Sequence, residues 1–108
     1  MNIKNKILIY ADLNREEKPN KISLNTIGTT EGLKKNNISF SEGATLWFWS
    51  DDKTDKREFD PFIFPLRLSY DKNLKIWFGE FKKEELKHYS DFLEADDHSW
   101  DEIVKNLR

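Results

Sequence analysis

The sequence predicts a small α+β domain that is mainly β. Most of its aromatic residues lie between residues 40 and 81, in runs rich in β-branched and aromatic residues that are typical of strands. The last ten residues instead repeat apolar residues at helical spacing. We therefore expect a small antiparallel meander or an SH3-like barrel with a C-terminal helix.

Composition limits the class of protein. The chain has 108 residues, the size of one compact domain, so we expect residues 1–108 to form a single domain. The charged fraction of 35% is high, but an aromatic fraction of 14% argues against disorder. The chain has no cysteine, which excludes a disulfide framework, a thiolate zinc site and a cysteine nucleophile.

The charge balance disfavours nucleic acid as a partner. The 18 basic and 20 acidic residues give a net charge of -2, and the lysines are scattered among acids rather than gathered into a patch. No apolar run is long enough to span a membrane, and Ile7–Tyr10 is far shorter than a signal-peptide core. We expect a cytoplasmic protein, which the lack of cysteine fits.

The first part of the chain predicts a hairpin. Lys6–Asp12 is rich in β-branched and aromatic residues, and Lys21–Ile27 alternates apolar with polar residues, so both segments are predicted strands. The polar segment between them contains Pro19 and is a predicted loop. We expect the two strands to pair across that loop.

Gly28–Asn37 predicts a helix of about two turns. Thr29 or Thr30 would cap its amino end, and Glu31 would place an acid in its first turn. The pair Asn36-Asn37 is a suitable stop.

Three consecutive strands are predicted in the middle of the chain: Ala44–Ser50, Pro61–Tyr70 and Leu74–Phe81. Strands linked by hairpins pair antiparallel. In the first strand Trp47 and Trp49 share one face, and the opposite face is also apolar. Such a strand is central in its sheet, or its outer face is a binding surface.

Three residues in this region mark special positions. Pro65 cannot donate to a strand ladder, so it indicates an edge, a bulge or a bend. Gly79 permits a bulge or close packing. Asn73, in the turn before the third strand, tolerates a left-handed backbone.

The end of the chain predicts helical structure. Lys82–Glu94 has apolar residues at helical spacing, and Ser99–Arg108 is the clearest helix. Ser99 with Glu102 matches the S-x-x-E capping box. The apolar stripe of this helix consists of Trp100, Ile103, Val104 and Leu107.

An ordered set of short motifs runs through the chain. It consists of Tyr10-Ala11-Asp12, Leu24-Asn25-Thr26 with Gly28-Thr29, Glu42-Gly43, Tyr70-Asp71, Trp77 and His88-Tyr89-Ser90-Asp91. With these motifs, residues 7–91 resemble a group of small uncharacterised bacterial proteins of about this length, a domain of unknown function. The resemblance implies a compact β-rich domain and supplies no catalytic residue. It favours an accessory protein such as an immunity or antitoxin-like binder.

Residues capable of catalysis or metal binding form no known pattern. His88 and His98, with the aspartates beside them, could be drawn as a metal site or an acid–base pair, but their spacing matches no ligand motif. No serine lies in a G-x-S-x-G motif, and Gly28–Gly32 has the wrong spacing for a P-loop. We therefore expect no enzyme, no cofactor and no metal.

The aromatic strands and the acidic segment Asp51–Asp55 are the best functional clues. The segment lacks the calcium-loop pattern, so it is a solvated loop or an acidic lip facing a basic partner. The aromatic residues exceed what one core face holds. Trp100 and its helix would cover the surplus, and the alternative is an exposed protein-binding patch. The predicted partner-binding residues are Trp49, Asp51, Asp52 and Asp55.

These observations predict a non-enzymatic domain that binds a protein partner. Its most concrete form is an immunity protein that occludes a bacterial toxin. The alternative is a structural or regulatory domain that forms a homodimer through an exposed strand edge. A hydrolase or nuclease ranks third.

Overall fold

The sheet of the protein is mixed and open. The computed structural model describes residues 7–13, 16–25, 27–35, 38–51 and 59–107, with the backbone alone at 16–18 and 27–28. The elements in these ranges are β1 (Ile9–Tyr10), β2 (Glu16–Lys18), β3 (Lys21–Ser23), α1 (Ile27–Lys35), β4 (Thr45–Ser50), β5 (Phe62–Asp71), β6 (Ile76–Glu80), β7 (Lys87–His88), α2 (Tyr89–Glu94) and α3 (Asp101–Lys105). The strand order is β1-β4-β5-β6-β3-β2, and β7 pairs with β5.

The three predicted middle strands form the antiparallel centre of the sheet. β4 pairs with β5, and β5 pairs with β6. The turn after β5 is held by the Asp71 carboxylate, which accepts bonds from the backbone N–H groups of Asn73 and Leu74, both at 2.9 Å. The left-handed residue of this turn is Lys75, with φ 58°, rather than the predicted Asn73.

The first strands do not form the predicted hairpin. β1 lies parallel to β4, with Ile9 opposite Phe48, and β3 lies antiparallel to β6. The hairpin partner of β3 is β2, inside the segment that was predicted as a loop. Leu8 and Ile9 are both buried, on opposite faces, because a strand beside β4 is covered on both sides. Among the described strands, β1 and β2 lie at the two ends of the strand order and do not pair with each other, so the sheet is not closed into a barrel.

Helix α1 covers the outer edge of β1. It begins earlier than predicted, so its first turn contains no acid and Thr29 lies inside the helix rather than at its cap. Thr29 is fully buried, and its hydroxyl donates to the carbonyl oxygen of Tyr10 at 2.6 Å. Gly32 permits the close approach, since a Cβ there would lie 3.2 Å from Cγ2 of Ile9. A helix over a sheet edge blocks pairing with another chain.

Apolar clusters cover both faces of the sheet. One cluster contains Phe48, Phe64, Leu66 and Leu68, and the opposite cluster contains Leu8, Ile63, Trp100 and Val104. Trp100 is 2% exposed, and its ring centroid lies 5.0 Å from that of Trp47. The C-terminal segment therefore covers part of the surplus aromatic face. This is the first of the two predicted alternatives, in which Trp100 and its helix cover the face.

Pro65 lies where β5 is locally an edge. Since Leu68 exchanges backbone hydrogen bonds with the segment before β4, the alternation of the ladder turns the nitrogen of Pro65 away from β4. On the side of β5 that faces away from β4, β6 pairs with β5 only from Arg67 onward, and β7 pairs only with Phe62 and Ile63. The missing N–H of Pro65 therefore removes no ladder bond.

The C-terminal segment is less helical than predicted. Residues 82–94 form a 3₁₀ turn at Lys83–Glu85, then β7 and α2. The predicted capping box of Ser99 is absent, because Ser99 instead donates its N–H and hydroxyl to the carboxylate of Asp97, at 3.0 and 2.6 Å. Trp100 occupies the cap position of α3. No helix in the described ranges is long and apolar enough to cross a membrane.

Candidate binding groove

A groove of about 340 Å³ runs along β1 at the margin of the sheet. Leu8 and Tyr10 line it from β1, and Trp49 lines it from β4. Helices α1 and α3 form its two sides, because they pack against opposite faces of the sheet through Leu33 and Val104. We call this feature the β1 groove.

Lys35, the last residue of α1, lines the β1 groove beside the amino end of strand β1. Thr29 contacts Tyr10 and Gly32 contacts Ile9, so α1 runs antiparallel to β1. Lys35, in the last turn of α1, therefore lies beside the start of β1 and lines the groove. Lys35 is exposed, and none of the described side chains forms an ion pair with it.

Two carboxylates lie near the carboxyl end of β1, beyond the residues that line the groove. β1 and β4 are parallel with Tyr10 opposite Trp49, and the register continued by two residues places Asp12 opposite Asp51. The N–H of Ala11 donates to the carbonyl of Trp49 at 2.9 Å, which carries the pairing past Tyr10. Burial, followed by the charges of Asp12 and Asp51, raises the pKa of Tyr10 above its ordinary value of 10.0.

The structure brings together two of the four predicted partner-binding residues. Trp49 is partly buried between two rings, with centroid distances of 5.1 Å to Tyr10 and 5.9 Å to Phe59. Asp51 follows β4 and is exposed. The other two, Asp52 and Asp55, lie outside the described residues, so their place relative to the groove stays a prediction.

Sequence reasoning missed Tyr10 and Lys35 as groove residues. Both belong to the groove only because β1 lies beside β4 and beneath α1, which are contacts between distant parts of the chain. The local signal for the site was the short apolar run ending in Tyr10-Ala11-Asp12, which places a carboxylate directly after a buried strand.

His98 belongs to a hydrogen-bonded loop rather than to the groove. Its Nδ1 lies 3.1 Å from the carboxylate of Asp101, and its Nε2 lies 3.2 Å from that of Asp96. The bond to Asp101 is the largest of the effects that raise the pKa of His98 above 6.5. The hydroxyl of Tyr89 donates to the same Asp101 at 2.6 Å. Burial and then this bond raise the pKa of Tyr89 to about 12.

His88 has a separate and mainly packing role. Its ring lies against that of Phe62, with centroids 4.0 Å apart, and its Nδ1 is 3.9 Å from the Asp91 carboxylate. Within the part of the chain that the structure describes, no group of three or more His, Cys, Asp or Glu side chains is placed to hold a metal ion.

Comparison with known proteins adds no further constraint. No protein-family model, curated protein or solved structure matches the chain. The resemblance of residues 7–91 to small bacterial proteins therefore stays a prediction.

Proposed function

We propose that the protein is a non-enzymatic domain that binds a protein partner through the β1 groove. The observation that carries this proposal is a mainly apolar groove lined by Trp49 and Tyr10, with the exposed carboxylate of Asp51 close enough to Tyr10 to raise its pKa. Its volume of about 340 Å³ is at the lower end of the roughly 300–1,000 Å³ that pockets for small molecules occupy. Tryptophan is also among the residues most enriched at the energetic centres of protein interfaces.

The charge around the groove favours a partner with a basic surface. The C-terminal segment is also acidic, because residues 91–102 contain six acidic residues and neither lysine nor arginine. This segment leads into α3, which forms one side of the β1 groove. Complementary charge at the rim of an interface raises the association rate more than the affinity.

The most concrete form of the proposal is an immunity protein that occludes a bacterial toxin in the cytoplasm. This form follows from the predicted resemblance of residues 7–91 to small bacterial proteins. Such a protein acts by covering the surface of the toxin, so it requires shape and charge complementarity but no catalytic residue of its own.

The binding experiment uses the product of the neighbouring gene as the candidate partner. Association with the purified full chain is measured by biolayer interferometry. We expect Asp51→Lys to slow association several-fold at low salt, and Leu107→Glu, which places a charge in the groove, to abolish binding. The matched control is Glu84→Lys, an exposed carboxylate on the 3₁₀ turn, which should bind as the unsubstituted protein does. Equal binding by all variants would contradict the proposal.

A growth experiment tests the immunity form separately. The neighbouring product is expressed alone and together with the protein. We expect growth arrest in the first case and recovery in the second. A neighbouring product that binds without arresting growth would remove the immunity form and leave the binding function. If the only association detected by sedimentation were a homodimer, the structural alternative would replace both.

A further inference from the structure

We infer that the β1 groove binds a small amphipathic carboxylate, a free molecule with an apolar body and one carboxylate group, and that Lys35 binds the carboxylate. The inference goes beyond the proposed function, because it concerns a small molecule and its test needs no protein partner. Three features carry it: the apolar lining of the groove, the charge in that lining, and the helix that closes the edge of β1.

Side chains from three parts of the fold give the groove an apolar wall. Leu8 lines it from β1, Trp49 lines it from β4, and Ile103 and Leu107 line it from the C-terminal segment. A mainly apolar lining with few polar groups is typical of sites for small molecules, and the volume of about 340 Å³ suits a ligand at the small end of that class. We therefore expect a ligand body the size of a medium-chain or single-ring carboxylic acid.

Lys35 provides the charge in the lining. Among the described residues that line the groove, no other is charged at neutral pH, since the pKa of Tyr10 is raised above 10.0 and its hydroxyl stays protonated. Lys35 is exposed, and none of the described side chains forms an ion pair with it. A cation beside an apolar wall favours a ligand whose carboxylate is attached to an apolar body.

The carboxylates of Asp12 and Asp51 keep a bound anion at the Lys35 side of the groove. They lie beyond the lining residues but close enough to Tyr10 to raise its pKa. Tyr10 is at the carboxyl end of β1, whereas Lys35 lies beside the amino end. A negative group near Tyr10 would be repelled, so the ligand carries one carboxylate and not two.

Helix α1 closes the edge along which a protein strand would otherwise add to β1. The carbonyl of Tyr10 accepts the hydroxyl of Thr29 at 2.6 Å, and a Cβ at Gly32 would lie 3.9 Å from the nitrogen of Tyr10. The helix therefore occupies the positions that a pairing strand needs. A small molecule needs no backbone bonds of this kind, so the closed edge favours it as the occupant over an added strand.

The test compares octanoate with 1-octanol, which has the same chain length but no charge. Each is titrated into the full-length, isotopically labelled protein, and amide shifts in two-dimensional NMR spectra report both affinity and location. We expect octanoate to bind with a dissociation constant of about 1 mM or lower, with shifts at Leu8, Trp49 and Ile103. Its affinity should be about three- to fivefold higher than that of 1-octanol, as an exposed ion pair permits.

Two variants separate the contribution of the charge from that of the apolar wall. Lys35→Gln should remove the preference for octanoate and leave the binding of 1-octanol unchanged. Leu107→Ser should weaken both ligands alike, because it removes apolar lining and no charge. The matched control is Lys34→Gln, which removes the same charge from the neighbouring position of α1. Lys34 is exposed and is not among the lining residues, so this variant should keep the preference.

Several results would overturn the inference: equal affinity for the two ligands, shifts confined to other surfaces, no octanoate binding at millimolar concentration, or the same loss of preference in Lys34→Gln as in Lys35→Gln. Binding of the protein partner that depends on Leu107, in a protein that does not bind octanoate, would leave the proposed function standing without the inference. Octanoate binding in the groove without any association with the neighbouring gene product would do the reverse.

Discussion

Replacing Gly79 with alanine should destabilise the fold by about 2 kcal/mol, because there is no room for a methyl group between β6 and the side chain of Leu66. Gly79 lies opposite Ile22 on one side and Leu68 on the other. A Cβ built there would be 2.7 Å from Cδ1 and 2.8 Å from Cβ of Leu66. Carbon atoms normally pack about 3.5–4.0 Å apart, so roughly 1 Å must be gained.

The strain cannot be relieved by a side-chain rotation alone. Cδ1 of Leu66 can turn away, but its Cβ is attached directly to the backbone of β5, so the strand itself must shift. Shifts of this kind typically cost about 1–3 kcal/mol. In a Leu66→Ala background the penalty for Gly79→Ala should shrink without vanishing, because the Cβ at 66 remains.

Two other glycines provide controls for the same chemical change. Gly32→Ala places a Cβ 3.2 Å from a side-chain methyl of Ile9, and a gain of about 1 kcal/mol in helix propensity offsets that contact. Gly43→Ala meets no atom within 4 Å, but its φ of 78° makes alanine costly by about 1–2 kcal/mol through the backbone. We expect stability to be near unchanged for the first and moderately reduced for the second.

The measurement is urea unfolding followed by circular dichroism, with the free energy of unfolding extrapolated at unchanged slope. A loss below about 0.5 kcal/mol for Gly79→Ala would refute the close packing of β6 against Leu66. So would a loss no larger than that of Gly32→Ala, since the helix position offers the new methyl group a partner that can move.

Three further variants test other contacts. Trp100→Ala should lower the free energy of unfolding in urea by about 3–5 kcal/mol, because it uncovers Trp47. A loss below about 1 kcal/mol would mean that the cluster around Trp100 is not a core. Thr29→Val keeps the shape but leaves the carbonyl of Tyr10 unpaired, so it should lose about 1–3 kcal/mol and speed amide exchange in β1. Unchanged exchange there would contradict the role of α1 at this edge. For His98→Gln, the raised pKa of His98 means that its contribution is complete below about pH 6.5 and is lost as pH rises through the folded pKa. The stability difference from the unsubstituted protein should therefore be larger at pH 5.5 than at pH 9, and a difference independent of pH would refute it.

Local sequence patterns predicted the centre of the fold well. Alternation of apolar residues correctly separates Ile63 and Phe64 onto two faces of the sheet, because the period of a strand is set by its own backbone. The stripe that contains Trp100 likewise identified the face that α3 buries. Gly79 was expected to permit close packing, and Leu66 lies against it.

Predictions that depended on competing partners were less successful. Ser99 matches a capping box in sequence, but its hydroxyl donates to the carboxylate of Asp97 instead. A serine side chain can bond to a near neighbour on either side, and the sequence pattern does not decide which bond forms. The pairing of β1 with β4 rather than with β3 is a choice between distant strands, and propensity does not distinguish them.

The candidate site divides in the same way. Trp49 and Asp51 could be named from the sequence because both are contiguous with the strongest strand, and Trp49 lines the groove; their part in binding stays a prediction. Lys35 could not be found, since its position beside β1 depends on the direction of α1 and hence on the contacts of Thr29 and Gly32. The order of charges along the chain does not show which charged residues the fold brings close to the same groove.

The parallel pairing of β1 has a consequence for the order of folding. β5 and β6 are joined by a short turn, from Asp71 to Ile76, whereas β1 contacts β4 across the interval from Ile9 to Phe48. Contacts between distant residues form late, because a long loop must close first. The central strands should therefore assemble first and β1 should dock last, which makes the walls of the groove the final part of the molecule to form. A partner that fills the groove would therefore cover the slowest-forming contacts of the fold.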